Sequence, residues 1–206
     1  LSLHDALPIF TGESDKNTVT IDTSGGKVDV TFDDLKIDAS DKGKAAVRVE
    51  GGHDATIELD GDNKLKSGSH NAGLEKNGNE SSGKLTIKDD NDTKGSLTAK
   101  GGEGGGAGIG GGIKSTGSSI TIRGGTIKAV GGSNAAGIGD GAGRATGPTD
   151  DPNPGDLYIC GDAEVTAKAG SQMTDAKAPA IGGKYGEVPT DALSDDEHKV
   201  TGGQIG

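Results

Sequence analysis

The sequence predicts an all-β chain folded as a parallel β-helix, which is a solenoid with three short strands per turn. Two observations support this fold class. One glycine-rich module recurs along the chain and is clearest between Ala107 and Ile138, and repeats of this length are typical of stacked architectures. Within each module the apolar residues alternate with polar ones, as in Ile120-Thr121-Ile122. That is the two-residue period of a strand.

Aligning the copies of the module predicts which residues stack on one another. A single turn cannot bury its apolar face, but stacked turns pair their strands about 4.8 Å apart and share a core. One aliphatic column starts each turn, and two more columns follow on the next strands. The columns are Val47, Leu74, Ile109, Ile138 and Ile181; Ile87, Ile122 and Ile159; and Leu97, Ile127 and Val165, the last beside Ala99, Ala129 and Ala167.

The chain divides into three predicted segments. Residues 1–9 match neither the repeat nor the composition that follows and resemble a translated sequencing adaptor, so we expect an artefactual or disordered leader. Residues 10–44 alternate apolar and polar residues around Gly25-Gly26 and are predicted to form an N-terminal rung or capping strands. Residues 45–206 are the predicted glycine-rich β-helix. The repeat is still running at Gly206, so we expect a truncated C-terminus, a longer parent protein and an origin in environmental DNA.

Composition and charge exclude several classes of function. Only 29% of the 206 residues are hydrophobic and the net charge is −11, values that would indicate disorder if the repeat were ignored. The acidic balance argues against nucleic acid and anionic membranes as partners. No run approaches the ~20 apolar residues of a membrane span, so no membrane insertion is expected. The single cysteine, Cys160, excludes an internal disulfide framework.

The repeat resembles a known group of proteins. The phrase Ala-Gly-Ile-Gly-Gly-Gly at 107–112, followed by Ile-Thr-Ile-Arg-Gly-Gly-Thr-Ile at 120–127, is similar to repeats in large secreted surface proteins of anaerobic, gut-type bacteria. These are described as carbohydrate-binding-domain or adhesin-like β-helix proteins. The resemblance covers residues 45–185 and implies a right-handed β-helix in a secreted or cell-surface setting. The copies at Ile138-Gly139-Asp140 and Leu74-Glu75-Lys76 depart from the glycine run.

Two tyrosines and an outward polar row are the candidate carbohydrate-binding residues. Flat sugar sites use aromatic platforms, yet the chain has no Trp and only two Tyr. Tyr158 lies between apolar Leu157 and Ile159 and is predicted to face outward, and Tyr185 lies in a glycine-flanked turn. Polar contacts are expected from the outward residues Thr86, Thr121 and Arg123. Isolated tyrosines are more commonly ordinary surface residues, and that interpretation stays open.

Clusters of aspartate are the candidate metal ligands, with Ca²⁺ as the candidate ion. Carboxylate oxygens in loops are the ligands that Ca²⁺ takes, and the sequence offers Asp89, Asp90 and Asp92 in one turn and Asp150 and Asp151 in another. The preferred alternative is turn chemistry, because Asp and Asn bond their own backbone in tight turns. No calcium-binding repeat recurs in register and no EF-hand spacing is present.

The sequence therefore predicts a non-catalytic bacterial surface module, adhesin-like or polysaccharide-binding. Its partners would be a polysaccharide or a host or cell-surface glycan, and neighbouring domains of a longer parent. One alternative is a polysaccharide lyase or hydrolase, since parallel β-helices host both. The other is a purely structural stalk. No catalytic constellation stands out, because the histidines are separate loop residues with no zinc or triad spacing.

Overall fold

The computed structural model describes residues 7–117, 119–143, 157–171, 178–182 and 197–201, the last range as backbone only. These residues form strands and turns and contain no helix. Accordingly, the described part of the chain has no helix that could cross a membrane. The strands, in chain order, are β1 Ile9–Ser14, β2 Val19–Asp22, β3 Val28–Asp38, β4 Val47–Glu50, β5 Ala55–Lys66, β6 Leu74–Glu75, β7 Leu85–Lys88, β8 Gly95–Lys100, β9 Ile109–Gly110, β10 Ile120–Ile122, β11 Thr126–Val130, β12 Ile138–Gly139, β13 Leu157–Ile159, β14 Glu164–Lys168, β15 Ile181–Gly182 and β16 Glu197–Thr201.

The described strands form two parallel sheets. Sheet A is a half-barrel of ten strands with the order β13-β10-β7-β5-β8-β11-β14-β16, and β3 and β1 join it through β5. Sheet B is separate and has six short strands in the order β15-β12-β9-β6-β4-β2. One edge of sheet A departs from the parallel pattern, because β16 pairs antiparallel with β14.

The predicted β-helical solenoid with three strands per turn is wrong. The second and third strand columns of the prediction do not belong to separate sheets, because β5 pairs with β7 over Ala55 to Glu58 and with β8 over Gly61 to Lys66. A single 12-residue strand therefore joins both columns into sheet A. The alternation of apolar and polar residues within each short segment predicts which residues face inward. It does not predict whether the strand ends or bends between two segments.

Buried Asn63 explains why β5 bends instead of ending. The neighbouring strand β3 carries a register shift next to Asp34, and both Asp34 and Gly61 have positive φ angles, 52° and 63°. Asn63 accepts a hydrogen bond from the Leu35 amide at 2.9 Å and donates one to the Ser96 carbonyl at 3.0 Å. These bonds satisfy backbone groups that the distorted ladder leaves unpaired.

The predicted aliphatic columns are confirmed as in-register neighbours. Every consecutive pair from Val47 to Ile181 in the first column is aligned across adjacent strands of sheet B. In sheet A, Ile87, Ile122 and Ile159 are aligned in the same way. The third column and its alanines also align along β8, β11 and β14. Side chains from both sheets join one buried hydrophobic cluster, which includes Phe32 packed edge-on against Phe10.

Glycines are required where the loop backbones of successive modules pass very close to one another. A Cβ on Gly102 would overlap the carbonyl oxygen of Gly68, one on Gly132 would overlap the Gly102 carbonyl, and one on Gly170 would overlap the Gly132 carbonyl. Each glycine therefore faces the carbonyl of its predecessor in the stack. At these three positions the loops pack backbone against backbone, which is a physical reason for the glycine run in each module.

Replacing a core isoleucine with aspartate is expected to unfold the protein. Ile122 is fully buried, whereas the preceding Thr121 is partly exposed. An unpaired carboxylate at position 122 costs several kcal/mol, which is comparable with the total stability of a domain, about 5–15 kcal/mol. Ile122→Asp should abolish the cooperative thermal transition followed by circular dichroism. Thr121→Asp is the matched control and should retain it; equal damage from both changes would contradict the inward and outward assignment.

Adding a methyl group in the glycine stack is expected to destabilise the fold without changing any polar contact. Gly132→Ala forces backbone displacement against Gly102 and should lower the free energy of unfolding by about 1–3 kcal/mol, as overpacking does. Gly25→Ala is the control, because Gly25 is exposed and a Cβ there meets nothing within 4 Å. Urea unfolding of both variants checks this; a Gly132→Ala protein as stable as Gly25→Ala would contradict the close approach.

Candidate functional site

The outer face of sheet A carries a row of hydroxyl side chains on four adjacent strands. Thr56 of β5 pairs with Thr86 of β7, Thr86 pairs with Thr121 of β10, and Thr121 pairs with Tyr158 of β13. All four residues are partly exposed. We call these four residues the hydroxyl row. Neighbouring parallel strands lie about 4.8 Å apart, so the row has a regular spacing across the sheet.

Strand alternation places the hydroxyl row on the surface. Thr86 lies between Leu85 and Ile87, and Thr121 lies between Ile120 and Ile122; all four of these aliphatic neighbours are 0% exposed. A change of register by one residue would exchange the buried and exposed sets. The core therefore holds the hydroxyl row in one position and on one face.

Three of the sequence-predicted polar residues and one tyrosine come together here. Thr86, Thr121 and Tyr158 are members of the hydroxyl row, and Arg123 follows β10 and is exposed beside it. Tyr185 lies outside the described residues. Thr56 is a member that the sequence analysis missed; the signal was the segment Ala55-Thr56-Ile57, which has the same apolar-Thr-apolar pattern as β7 and β10.

A charged cluster borders the hydroxyl row. The Lys88 ammonium lies 2.8 Å from a carboxylate oxygen of Glu58 and 2.7 Å from one of Asp90. Partial burial works to lower the pKa of Lys88, but the hydrogen bonds to Asp90 and Glu58 outweigh it and leave the pKa above its ordinary value. The hydrogen bond from Lys88 is the main reason that the pKa of Asp90 is lowered. The three side chains are thus paired with one another within the protein.

The three aspartates of the turn between β7 and β8 have different surroundings. Asp89 accepts a hydrogen bond from the Gly95 amide at 3.1 Å, and Asp90 pairs with Lys88. Asn91 accepts a bond from the Thr93 amide at 2.7 Å, while Asp92 is exposed. In the described part of the chain, no group of three or more His, Cys, Asp or Glu side chains is arranged to hold a metal ion.

The calcium prediction stays a prediction at both locations, and Asp150 and Asp151 lie outside the described residues. At the first location the carboxylates of Asp89 and Asp90 already accept hydrogen bonds from this chain. A bound Ca²⁺ would compete with these bonds for the same oxygens. Turn chemistry accounts for the contact of Asp89 with the Gly95 amide.

A second polar cluster, inside the fold, was not predicted from the sequence. Glu75 is 1% exposed, and its carboxylate lies 2.6 Å from the guanidinium of Arg48 and accepts the Ala72 amide at 2.9 Å. Asn77 donates to Glu75 at 3.2 Å and to Glu80 at 2.9 Å. Burial raises the pKa of Glu75 although the Ala72 amide and Arg48 oppose the shift. The available signal was that Leu74-Glu75-Lys76 departs from the glycine run of the other modules.

Lys76 is fully buried beside this cluster. Its ammonium donates a hydrogen bond to the Ser81 carbonyl at 3.0 Å. Loss of solvation on burial lowers its pKa to about 8, against a smaller opposite effect of Asp54. Lys76 and its neighbours lie inside the fold, so we assign this cluster a structural role and not a ligand-binding one.

No family model matches the chain, and no curated protein or solved structure is significantly similar to it. The site must therefore be interpreted from its own geometry. The observation that distinguishes it is the alignment of the hydroxyl row across β5, β7, β10 and β13.

The buried lysine predicts an unusual dependence of stability on pH. The folded protein releases the Lys76 proton at about pH 8, whereas the unfolded chain keeps it to about pH 10.5. The unfolded state therefore binds more protons between these values, and the stability contributed at this site rises as pH rises through this window. The cost of burying the charge is fully present below pH 8. A shift of this size corresponds to on the order of 3 kcal/mol.

Urea unfolding between pH 7 and pH 10 checks this dependence. The difference in unfolding free energy between wild type and Lys76→Met should change with pH, because methionine cannot titrate. The control Lys94→Met replaces an exposed lysine and should give a curve parallel to wild type, since that ammonium keeps its water on folding. Parallel curves for wild type and Lys76→Met would contradict the burial of the ammonium.

Proposed function

We propose that this chain is a non-catalytic polysaccharide-binding module of a bacterial surface protein, with the hydroxyl row as its ligand surface. The supporting observation is the alignment of Thr56, Thr86, Thr121 and Tyr158 on four adjacent strands. A regular row of side chains suits a ligand that is itself a regular polymer. A polysaccharide presents hydroxyl groups at each repeat, and threonine hydroxyls can both donate to them and accept from them.

The rigidity of the row favours binding. The residues on either side of each threonine are buried in the core, so the hydroxyl row is held in place before a ligand arrives, and little conformational entropy is lost on binding. Tyr158 adds an aromatic ring at one end of the row. Its apolar face can stack on a sugar ring while its hydroxyl group forms hydrogen bonds.

The contacts of the carboxylates beside the row support binding over hydrolysis, and these carboxylates include Asp29 of β3, which is aligned with Thr56 and pairs with Lys27. A glycoside hydrolase uses two carboxyl groups about 5–10 Å apart on either side of the scissile bond. Glu58 and Asp90 instead share Lys88, and Asp89 accepts the Gly95 amide. These three carboxylates are committed to contacts within the protein.

The proposed setting is the surface of a bacterium. The resemblance of the repeat at 107–127 to secreted, adhesin-like proteins supports it, as does the net charge of −11, which disfavours nucleic acid as a partner. In this setting the chain would be one segment of a longer protein and would present a glycan-binding face between neighbouring domains.

Removing two hydroxyl groups from the row is expected to weaken glycan binding. The double variant Thr86→Val and Thr121→Val keeps the shape of both side chains and removes two hydrogen-bonding groups. At about 0.5–1.5 kcal/mol per hydrogen bond, affinity should fall roughly tenfold. A glycan array with the 206-residue chain identifies ligands, and isothermal titration calorimetry compares the variant with wild type.

The matched control uses the other half of sheet A. Thr98 of β8 and Thr166 of β14 are also partly exposed on β-strands, but they lie outside the hydroxyl row. Thr98→Val with Thr166→Val should leave affinity unchanged. The proposal fails if no glycan binds, which would favour a purely structural stalk, or if both double variants weaken binding equally.

A further inference from the structure

The charges beside the hydroxyl row identify a class of ligand. We propose that the part of the row on β7, β10 and β13 binds an acidic polysaccharide, an extended chain of uronate residues that crosses these strands with its carboxylates directed to Lys84 and Arg123. This inference rests on the proposed function, since it uses the same surface. Beyond the proposed function, it specifies that the ligand is anionic, that it crosses the strands and that it is extended.

Cations flank the part of the row on β7, β10 and β13, whereas the β5 end of the row is acidic, because Asp29 of β3 is aligned with Thr56 and Asp54 lies two residues before it. Lys84 precedes β7 by one residue, Lys88 ends β7 and Arg123 follows β10 directly. Among the described residues that alternate outward on these three strands and their immediate flanks, none is Asp or Glu. Exposed cations at the β7 to β13 end of the row, on a chain with a net charge of −11, favour an anionic ligand that contacts them directly.

Two of these cations are available to a ligand. Lys88 is neutralised by Glu58 and Asp90. Lys84 and Arg123 are exposed, and neither forms an ion pair with another described residue. Arg123 is close enough to contribute to the lowered pKa of Asp90, but the hydrogen bond from Lys88 is the larger cause. The guanidinium of Arg123 thus keeps its donors for a carboxylate.

Lys84 and Arg123 flank the row on opposite sides. Lys84 is two residues before Thr86, and Arg123 is two residues after Thr121, so each lies roughly 7 Å along its strand from the row. β7 and β10 are adjacent strands, about 4.8 Å apart, a spacing comparable to one sugar residue of an extended chain. In an extended two-fold glycan, successive residues point their carboxylates to opposite sides. Cations on opposite sides at successive strands match that alternation.

Two ligands that differ only in charge test the inference. Oligomers of β-1,4-linked glucuronate and of β-1,4-linked glucose share linkage and length, and only the first carries a carboxylate on each residue. Calorimetric titration of the 206-residue chain at low salt should show at least about tenfold tighter binding of the glucuronate oligomer. That advantage should shrink as ionic strength rises from about 0.01 M to about 1 M, because the Debye length falls from roughly 30 Å to 3 Å.

Variants of the two flanking cations locate the effect. Lys84→Gln and Arg123→Gln should each weaken binding of the glucuronate oligomer by about three- to tenfold and leave binding of the glucose oligomer unchanged. Lys128→Gln is the matched control, because Lys128 is an exposed lysine on β11 of the same sheet and away from the row. It should change neither affinity.

The possible failures are distinguishable. Equal affinity for the two oligomers, or glucuronate binding that both flanking variants retain, overturns the acidic ligand and leaves the proposed polysaccharide-binding function standing. Binding of neither oligomer, together with no binding on the glycan array, overturns both. Glucuronate binding that Lys128→Gln weakens as much as Arg123→Gln also overturns the inference, because it would reflect general charge attraction.

Discussion

In-register pairing of parallel strands is the constraint on which this structure depends. Each aliphatic residue of one strand lies beside its equivalent on the next, so that Val47, Leu74, Ile109, Ile138 and Ile181 form a continuous column. Because the pairing repeats without offset, the outward residues repeat as well. The surface row from Thr56 to Tyr158 is therefore a consequence of core packing. A chain with few apolar residues can fold in this way because the aliphatic columns of the described residues are buried.

The same close stacking leaves little tolerance elsewhere. Where loops approach each other, as at Gly102 and Gly132, the backbone of one turn occupies the space that a side chain would need. Where a module departs from glycine, the added side chain has to be accommodated inside. Glu75 is accommodated by Arg48, Asn77 and the Ala72 amide, because removing one partner of a buried pair leaves an uncompensated charge that is strongly destabilising.

Charge distribution on sheet A links this scaffold to its proposed function. Carboxylates near the hydroxyl row are held in contacts with Lys88 or with the backbone, whereas Arg123 and Lys84 remain without an ion pair among the described residues. Ionised groups that are paired within the protein contribute little to recognition of a charged ligand. Under the proposed function, the unpaired cations select the charge of the polymer, and the hydroxyl groups supply its hydrogen-bonding partners.

The sequence by itself determined the strand positions, the aliphatic columns and the side of the sheet on which Thr86, Thr121 and Tyr158 lie, because alternation and repetition are local properties that core burial then enforces. Sequence reasoning did not predict that two columns merge into one half-barrel sheet, since that depends on a bend at Gly61 that Asn63 stabilises through bonds to β3 and β8. The pairing of Glu75 with Arg48, and of Lys88 with Glu58, joins residues from different modules. Only the tertiary structure brings these charges together, and so only it decides which charges remain free at the surface.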